Sequence, residues 1–254
     1  MIQEVNQKMV DTFLSDVSGI QNRDGGFPCR GEKGNPSCLN DTSVWIGKLI
    51  RHPDRKAKDS LGRALEWVLS TQSEEGAFVE PDEVASVPNI PPWVPPGKPS
   101  PLTPQLVAYL LQAGYKNRTE TRKAVDYLLR YWQKPDGSFK SNYMIWTMIE
   151  VLIRDGFHED CREVKEAMKA TKMFFDEFPN DPPALLWSLG TLRSVGFRKD
   201  HFLVKELYSK LMDIRNDDGG WSNEDITGKI QSETDPVFTQ EVLNTLRAFG
   251  LIQE

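Results

Sequence analysis

The phrase Gln21-Asn-Arg-Asp-Gly-Gly-Phe27 recurs three more times, as Gln72-Ser-Glu-Glu-Gly-Ala-Phe78, Gln133-Lys-Pro-Asp-Gly-Ser-Phe139 and Arg215-Asn-Asp-Asp-Gly-Gly-Trp221. Each copy keeps the order acidic residue, glycine, small residue and aromatic residue, and each separates an amphipathic stretch from an apolar one. Glycine readily adopts the left-handed conformation that follows a helix, and a neighbouring acidic side chain accepts hydrogen bonds from the turning backbone. The phrase therefore predicts a repeated turn between two helices.

The two helices joined by each phrase differ in their apolar pattern. Before a phrase, apolar residues recur at helical spacing, as at Leu61, Leu65 and Val68, which predicts an outer helix with one solvent face. After a phrase the stretch is apolar nearly all round, as in residues 144–153, which predicts a buried inner helix. The gap before the last copy is longer and contains a degenerate copy of the phrase at Phe178-Pro-Asn-Asp181. The chain therefore divides into five helix pairs.

Five tandem helix pairs predict an all-α fold, specifically an α/α toroid in which outer and inner helices form two layers around a central cavity. A linear α-solenoid is the alternative. Because the repeats share one core, we expect a single α/α barrel domain over residues 1–254.

One segment interrupts the repeat. Residues 81–104 contain nine of the seventeen prolines and therefore predict an extended, non-helical insertion. The insertion could act as a lid with Trp93 as its plug, lie on the surface as a strap, or bind a protein partner as a polyproline segment.

Composition excludes several function classes. The formal net charge is −6, the isoelectric point is near 5.3, and no extended run of Lys and Arg occurs, so a nucleic-acid partner is not expected. No uncharged apolar run approaches the length of a membrane span, and the first residues lack a signal-peptide pattern. Three cysteines fit a reducing compartment, so we expect a cytoplasmic protein that does not span a membrane.

The repeated Gln-x-x-Asp/Glu-Gly-small-aromatic phrase resembles the repeat of the prenyltransferase and squalene-cyclase superfamily. The resemblance extends over the chain at the level of repeat units and implies an α/α barrel whose apolar cavity binds isoprenoids. Class II terpene cyclases of this superfamily start their chemistry with Asp-x-Asp-Asp-Thr at the beginning of an inner helix. The corresponding stretch here retains Asp41 and Thr42 but has Cys38 and Asn40 in place of the first two acids. Asp41 is therefore the candidate catalytic acid that the resemblance implies.

Protein prenyltransferases of the same superfamily hold zinc through Asp-x-Cys and a distant His. Aligned on Trp45, this chain has Leu39 and Asp41 at the two former positions. Cys29, Cys38 and Asp41 are another conceivable ligand set, but the three histidines fall near predicted helix ends or on an outer helix. We therefore expect neither a metal nor another cofactor.

Residues at the starts of the inner helices are the candidates for a site, because these starts converge on one mouth of a toroid. Asp41 and Asp235 are the catalytic candidates and would become neighbours on ring closure, although both are also suited to cap a helix. Aromatic residues are candidates for the cavity wall, and aromatics at helical spacing are equally common in cores. These substrate-binding candidates are Trp45, Tyr109, Tyr143, Trp146, Trp187 and Phe238, with Trp93 on the insertion.

Together these features predict a terpene cyclase-like or prenyltransferase-like protein that binds, and as an enzyme would transform, an isoprenoid-like apolar ligand. Because neither the Asp-x-Asp-Asp motif nor the zinc-ligand motif is intact, the alternative is a catalytically inactive α/α toroid that serves as a binding or scaffold module. A carbohydrate-active α/α barrel would need paired carboxylates across a polar groove, which the apolar predicted lining disfavours.

Overall fold

A computed structural model describes residues 17, 19–52, 54–91, 93–223 and 230–253. These residues contain nine α-helices and no β-strand, which confirms the predicted all-α class. The helices are α1 (Leu39–Leu49), α2 (Arg55–Ser70), α3 (Thr103–Gln112), α4 (Thr119–Trp132), α5 (Trp146–Arg154), α6 (Arg162–Glu177), α7 (Pro182–Ser194), α8 (Phe202–Asp213) and α9 (Pro236–Phe249). Within the described residues, no helix has both the length and the apolar character needed to cross a bilayer. The predicted first outer helix, around Met9 and Phe13, lies outside the described residues.

The chain divides into two compact units, Met1–Leu129 and Arg130–Glu254. In the first unit, α1 packs against α2 and α3. In the second unit, α5 packs against α6 and α7, and α7 packs against α8 and α9. The amphipathic helices α6 and α8 also contact each other. In this unit the largely buried helices α5 and α7 pack against the amphipathic helices α6 and α8. The prediction that α9 is buried on all sides is wrong, because it buries only Phe238, Val242 and Leu246.

The repeated phrase forms the predicted turn, and its leading Gln fastens that turn to the next outer helix. Gly25 and Gly76 have φ angles of 100° and 108°, in the left-handed region. The Gln72 side chain donates to the carbonyl oxygens of Gly76 (3.0 Å) and of Glu120 at the start of α4 (2.8 Å). Gln21 makes the equivalent pair of hydrogen bonds, to Gly25 and to a carbonyl of α2. The conserved order of the phrase thus sets how consecutive repeats pack in the first unit.

Gly76 is required by close approach as well as by its φ angle. A Cβ atom at this position would lie 2.4 Å from the carbonyl oxygen of Lys123, which is closer than real Cβ atoms come to backbone. The aromatic residue of the phrase is held in turn by the following inner helix, because the N–H of Phe27 donates to Thr42 Oγ1 (2.9 Å). The N–H of Trp221 donates in the same way to Thr239 Oγ1 (3.0 Å).

The proline-rich insertion folds back over the first unit, and we refer to its residues 81–102 as the strap. The base of the strap is closed by backbone pairing, in which Glu80 N donates to Lys98 O (3.1 Å) and Gly97 N donates to Glu80 O (2.8 Å). Its apolar side chains point inward and pack on two cysteines in one buried cluster. The members of this cluster are Cys29, Cys38, Val84, Val87 and Val94, with the partly buried Ile90 and Trp93 packed against them. The insertion thus lies as a strap on the first unit. The prediction that it is non-helical is wrong for Asp82–Ser86, which form a 3-10 helix.

Candidate functional site

The start of α1 gathers two cysteines and an acid. Backbone pairing positions the cysteines, since Cys29 N donates to Pro36 O (2.9 Å) and Cys38 N donates to Phe27 O (3.1 Å). Asp41 lies in the first turn of α1. As a result, the two sulfur atoms and a carboxylate oxygen of Asp41 all lie within 4.8 Å of one another.

Asp41 is tied into this cluster by two hydrogen bonds to one oxygen. The Cys38 thiol donates to Asp41 Oδ2 (3.1 Å), and the Arg30 backbone N–H donates to the same atom (3.2 Å). The capping role predicted for Asp41 is wrong, because the N-cap position of α1 is occupied by Cys38. The Asp41 carboxylate accordingly serves the loop that precedes the helix and not the helix terminus.

A second carboxylate, from Glu80 at the base of the strap, is buried beside the same helix start. Glu80 is 0% exposed, and its Oε2 accepts a hydrogen bond from Leu39 N (2.9 Å). Its other oxygen, Oε1, is buried with no hydrogen-bond partner. Burial raises the pKa of Glu80 to about 7. Hydrogen bonds from the N–H groups of Leu39 and Asn40 oppose this shift, and the charge of Asp41 adds to it. A buried carboxylate oxygen without a partner is uncommon and costly, so it marks this region as a candidate site.

The strap covers the two cysteines of the cluster, whereas Asp41 stays partly exposed. Cys29 and Cys38 are only 1% and 0% exposed. Trp93 donates from Nε1 to Asn40 Oδ1 (3.3 Å), and the Arg30 guanidinium donates to Pro88 O (3.0 Å), so both sides of the strap are hydrogen-bonded to the loop and helix beneath. A hydrogen bond between the thiols, together with burial and the charge of Asp41, raises the pKa of Cys38, whereas the same hydrogen bond lowers the pKa of Cys29. The thiol pair is thus electrostatically asymmetric.

The aromatic candidates of the first unit pack against their neighbours. Trp45 is half-buried and stacks on Phe27 at a ring-centroid distance of 5.1 Å, and Lys48 Nζ lies 4.6 Å from the centre of the Trp45 ring. The Tyr109 hydroxyl accepts from Gln105 Nε2 (3.0 Å) and occupies the space beside Gly47. A groove of about 1010 Å³ in this unit is lined mostly by polar residues such as Asn22, Gln72 and Asp82, and Trp67 also lines it. None of the aromatic candidates is among its lining residues.

In the second unit, two of the aromatic candidates belong to the core. Trp146 is fully buried and stacks on Phe175 at 5.7 Å, with Phe174 also at 5.7 Å. Phe238, in the first turn of α9, is 4% exposed. The side chains of Trp146 and Phe238 therefore contribute to packing between the helices and present almost no surface to a ligand.

The other two candidates of this unit, Tyr143 and Trp187, are exposed. Tyr143, Phe178 and Trp187 have exposed fractions of 43%, 49% and 45%. Phe174 lies between two of them, with ring centroids 6.0 Å from Tyr143 and 5.1 Å from Phe178. Trp187 lies on α7, which packs against α5. We refer to Tyr143, Phe178 and Trp187 as the aromatic surface.

Asp235 is the N-cap of α9, as its position before proline predicts. Its Oδ1 accepts from Val237 N (2.8 Å) and Phe238 N (3.0 Å), and its Oδ2 accepts from the Asn223 amide (3.2 Å). The N–H of Phe238, followed by the Asn223 amide, lowers the pKa of Asp235. Asp235 is therefore held as a carboxylate that stabilises the helix terminus, typically by about 1 kcal/mol.

The sequence did not indicate three residues of these regions. Glu80 stands between a valine and the first proline of the insertion, where no periodic pattern marks it as buried. Phe178 lies in the degenerate fourth copy of the phrase, whose sequence does not indicate that this ring is 49% exposed. Asp181 caps α7 through a hydrogen bond from Ala184 N (2.9 Å), and burial raises its pKa. The Asp-Pro dipeptide that begins α7 was the signal available for this cap.

No protein-family model matches this chain, and no match was found among curated proteins.

Proposed function

We propose that the protein binds an elongated, isoprenoid-like apolar molecule on the aromatic surface of its second unit. The observation that carries this proposal is the exposure of three large aromatic side chains, Tyr143, Phe178 and Trp187. The first two pack on the buried ring of Phe174. Contiguous exposed apolar side chains are uncommon on soluble proteins and often mark binding surfaces. Covering these rings with a ligand would remove apolar surface from water at roughly 25 cal/mol per Å².

The ligand class follows from the shape and chemistry of this surface together with the resemblance of the repeated phrase. Aromatic rings provide flat, polarizable faces that suit a branched, unsaturated hydrocarbon chain and would also attract positive charge along it. The exposed rings of Tyr143 and Phe178 both pack on the buried ring of Phe174, which fixes these two rings on one part of the surface. An elongated ligand would contact several of these rings at once.

The proposal is for binding, because the two acidic candidates are engaged elsewhere. Asp41 accepts hydrogen bonds from Cys38 and Arg30, and Asp235 caps α9. This arrangement favours the catalytically inactive binding module over a cyclase. Turnover of a bound isoprenoid that disappears in Asp41→Asn would restore the enzyme interpretation.

Equilibrium dialysis of the full chain with radiolabelled farnesol would test the proposal, with dodecanol as a straight-chain competitor. We expect farnesol to bind the wild type and to be displaced poorly by dodecanol. Trp187→Ala and Tyr143→Ala should each weaken binding about tenfold, corresponding to roughly 1.4 kcal/mol of lost contact. Phe202→Ala is the matched control, because Phe202 is an aromatic residue that is 57% exposed at the start of the outer helix α8.

Two results would overturn the proposal. The first is a wild-type protein that does not retain farnesol above the level of an unrelated protein. The second is a Phe202→Ala variant that loses as much affinity as Trp187→Ala, since that would indicate nonspecific adsorption to exposed rings.

A further inference from the structure

The cluster at the start of α1 has the composition of a soft-metal ligand set. Cys29 and Cys38 supply sulfur atoms and Asp41 supplies an oxygen, all within 4.8 Å of one another. Around a tetrahedral Zn²⁺, with Zn–S bonds of about 2.3 Å and Zn–O bonds of about 2.0–2.2 Å, neighbouring ligand atoms lie roughly 3.5 Å apart. Small side-chain adjustments are therefore enough to bring these three atoms to bonding positions.

Glu80 provides a second, independent observation that points to a cation. Its carboxyl group is completely buried, and Oε1 lacks a hydrogen-bond partner. Oε2 accepts from the N–H of Leu39, the residue after Cys38, which places the Glu80 carboxyl group beside the ligand cluster. A fully buried carboxylate beside the partly exposed Asp41 and a buried thiol pair is stabilised by positive charge, and a divalent cation would supply that charge.

The lining of the region indicates how such an ion would be retained. The valines of the strap cover both cysteines, and Trp93 and Arg30 fasten the strap to the loop and helix on either side. An apolar cover around the ligands limits solvent access to a bound metal and lowers the local dielectric. The backbone pairing between Cys29 and Pro36 holds the ligand loop in place before any ion binds.

We propose that Cys29, Cys38 and Asp41 bind a zinc ion beneath the strap, with Glu80 as the neighbouring carboxylate that stabilises the ion by its charge. Thiolate ligands select Zn²⁺ over Mg²⁺ and Ca²⁺, which prefer oxygen. On binding, the two S–H bonds are replaced by two Zn–S bonds, and both protons leave to solvent. Three protein ligands leave the fourth position of the tetrahedron to water. The site is independent of the aromatic surface, which lies in the other unit and contains no metal ligand.

Cobalt titration of the full chain tests this proposal, because Co²⁺ reports zinc-type sites by its absorption. The protein is first reduced and treated with chelator, then titrated anaerobically with Co²⁺ and back-titrated with Zn²⁺. We expect one equivalent of Co²⁺ to produce a thiolate-to-cobalt charge-transfer band and tetrahedral d–d bands, both of which Zn²⁺ abolishes. Mg²⁺ at the same concentration should leave them unchanged.

Variants assign the ligands. Cys29→Ser and Cys38→Ser should each lose about half of the charge-transfer intensity and weaken affinity by at least about 100-fold. Asp41→Asn should keep the charge-transfer band and bind more weakly. Cys161→Ser is the matched control, because Cys161 is the third cysteine of the chain and lies at the start of α6 in the other unit.

Any of three outcomes would overturn the proposal. The wild type could show no charge-transfer band on titration, or Cys161→Ser could lose that band. The third outcome is a Cys29→Ser variant that binds Co²⁺ with the affinity of the wild type. Recovery of a Cys29–Cys38 disulfide that persists under reduction and excludes Co²⁺ would also overturn it. If a cysteine variant does not fold, as judged by circular dichroism, the comparison of wild type with Cys161→Ser still decides the matter. Zinc should then raise the melting temperature of both proteins, and an unchanged melting temperature in both would reject the site.

Discussion

The two units use the start of an inner helix in opposite ways. In the first unit, the strap buries two thiols and the Glu80 carboxyl group beside the start of α1. In the second, the segments before α5 and α7 carry Tyr143 and Phe178, each close to half exposed. The turns that lead to α1 and α5 have the same sequence pattern, so the repeat determines the turn and leaves the chemistry of the helix start free to differ.

The connection after each phrase accounts for this difference. Between the second phrase and α3, the chain has room for the strap, which folds back over Cys29 and Cys38. In the second unit, α6 is followed almost directly by α7, which begins at Pro182. A short connection cannot cover neighbouring aromatic side chains, whereas a long one can, and burial then changes which side chains are chemically useful.

The largest expected effect separates packing from surface within the second unit. Trp146→Ala removes a fully buried ring that contacts Phe174 and Phe175, so we expect the free energy of unfolding to fall by about 3–5 kcal/mol. Trp187→Ala removes an exposed ring, so the loss should be below about 1 kcal/mol. Urea unfolding followed by circular dichroism measures both. Equal losses would mean that the aromatic surface is part of the core, and the contrast between the two units would disappear.

The next effect concerns the buried carboxyl group of the first unit, in the presence of chelator. The folded pKa of Glu80, about 7, lies above its ordinary value of 4.5, so the folded state binds the extra proton between these values. Stability from this group is fully present below pH 4.5 and is lost as the pH rises through 7. Glu80→Gln cannot lose a proton. The unfolding free energy of Glu80→Gln minus that of the wild type should therefore increase by about 3 kcal/mol when the pH is raised from 4.5 to 8.

Glu83→Gln is the control for this measurement, because Glu83 is an exposed carboxylate on the same strap. Its unfolding free energy should follow the wild type across the pH range. If the difference in unfolding free energy between the wild type and Glu80→Gln did not change with pH, Glu80 would be solvated. The strap would then not bury the carboxyl group in solution.

The sequence predicted the repeated elements of this fold because their causes are local. Gly76 and its equivalents mark turns through their φ angles, and the all-round apolar pattern marks the inner helices. The same pattern does not predict that Trp146 is buried and Trp187 exposed, because this difference in exposure arises from how α5, α6 and α7 pack. Helical periodicity carries no information about which face of an apolar helix remains uncovered.

The candidate metal site depended on contacts between segments distant in the chain, and these could not be read from local patterns. Cys29 and Cys38 were recognised as conceivable ligands with Asp41, but their proximity depends on the backbone pairing of Pro28 with Ser37. Glu80 reaches the start of α1 only because the strap folds back at its base. Counting histidines therefore undervalued a region whose ligands are sulfur and carboxylate.

The smallest expected effect gives the second unit a pH dependence of opposite sign. His201 caps α8, with Nδ1 accepting from Leu203 N at 3.2 Å. Burial lowers the pKa of His201 below its ordinary value of 6.5, against the opposing charges of Glu159 and Asp200. Stability from this imidazole is therefore present above pH 6.5 and is lost as the pH falls through the folded pKa.

His201→Asn keeps a capping acceptor that does not titrate, so between pH 7.5 and pH 5 the wild type should lose up to about 1 kcal/mol more unfolding free energy than this variant. His158→Asn is the matched control, because His158 Nδ1 accepts from Asp160 N at the same 3.2 Å while its side chain is exposed. Its difference from the wild type should stay constant with pH. If His201→Asn instead gained stability only above pH 7, both units would respond to pH with the same sign, and the electrostatic distinction between them would not hold.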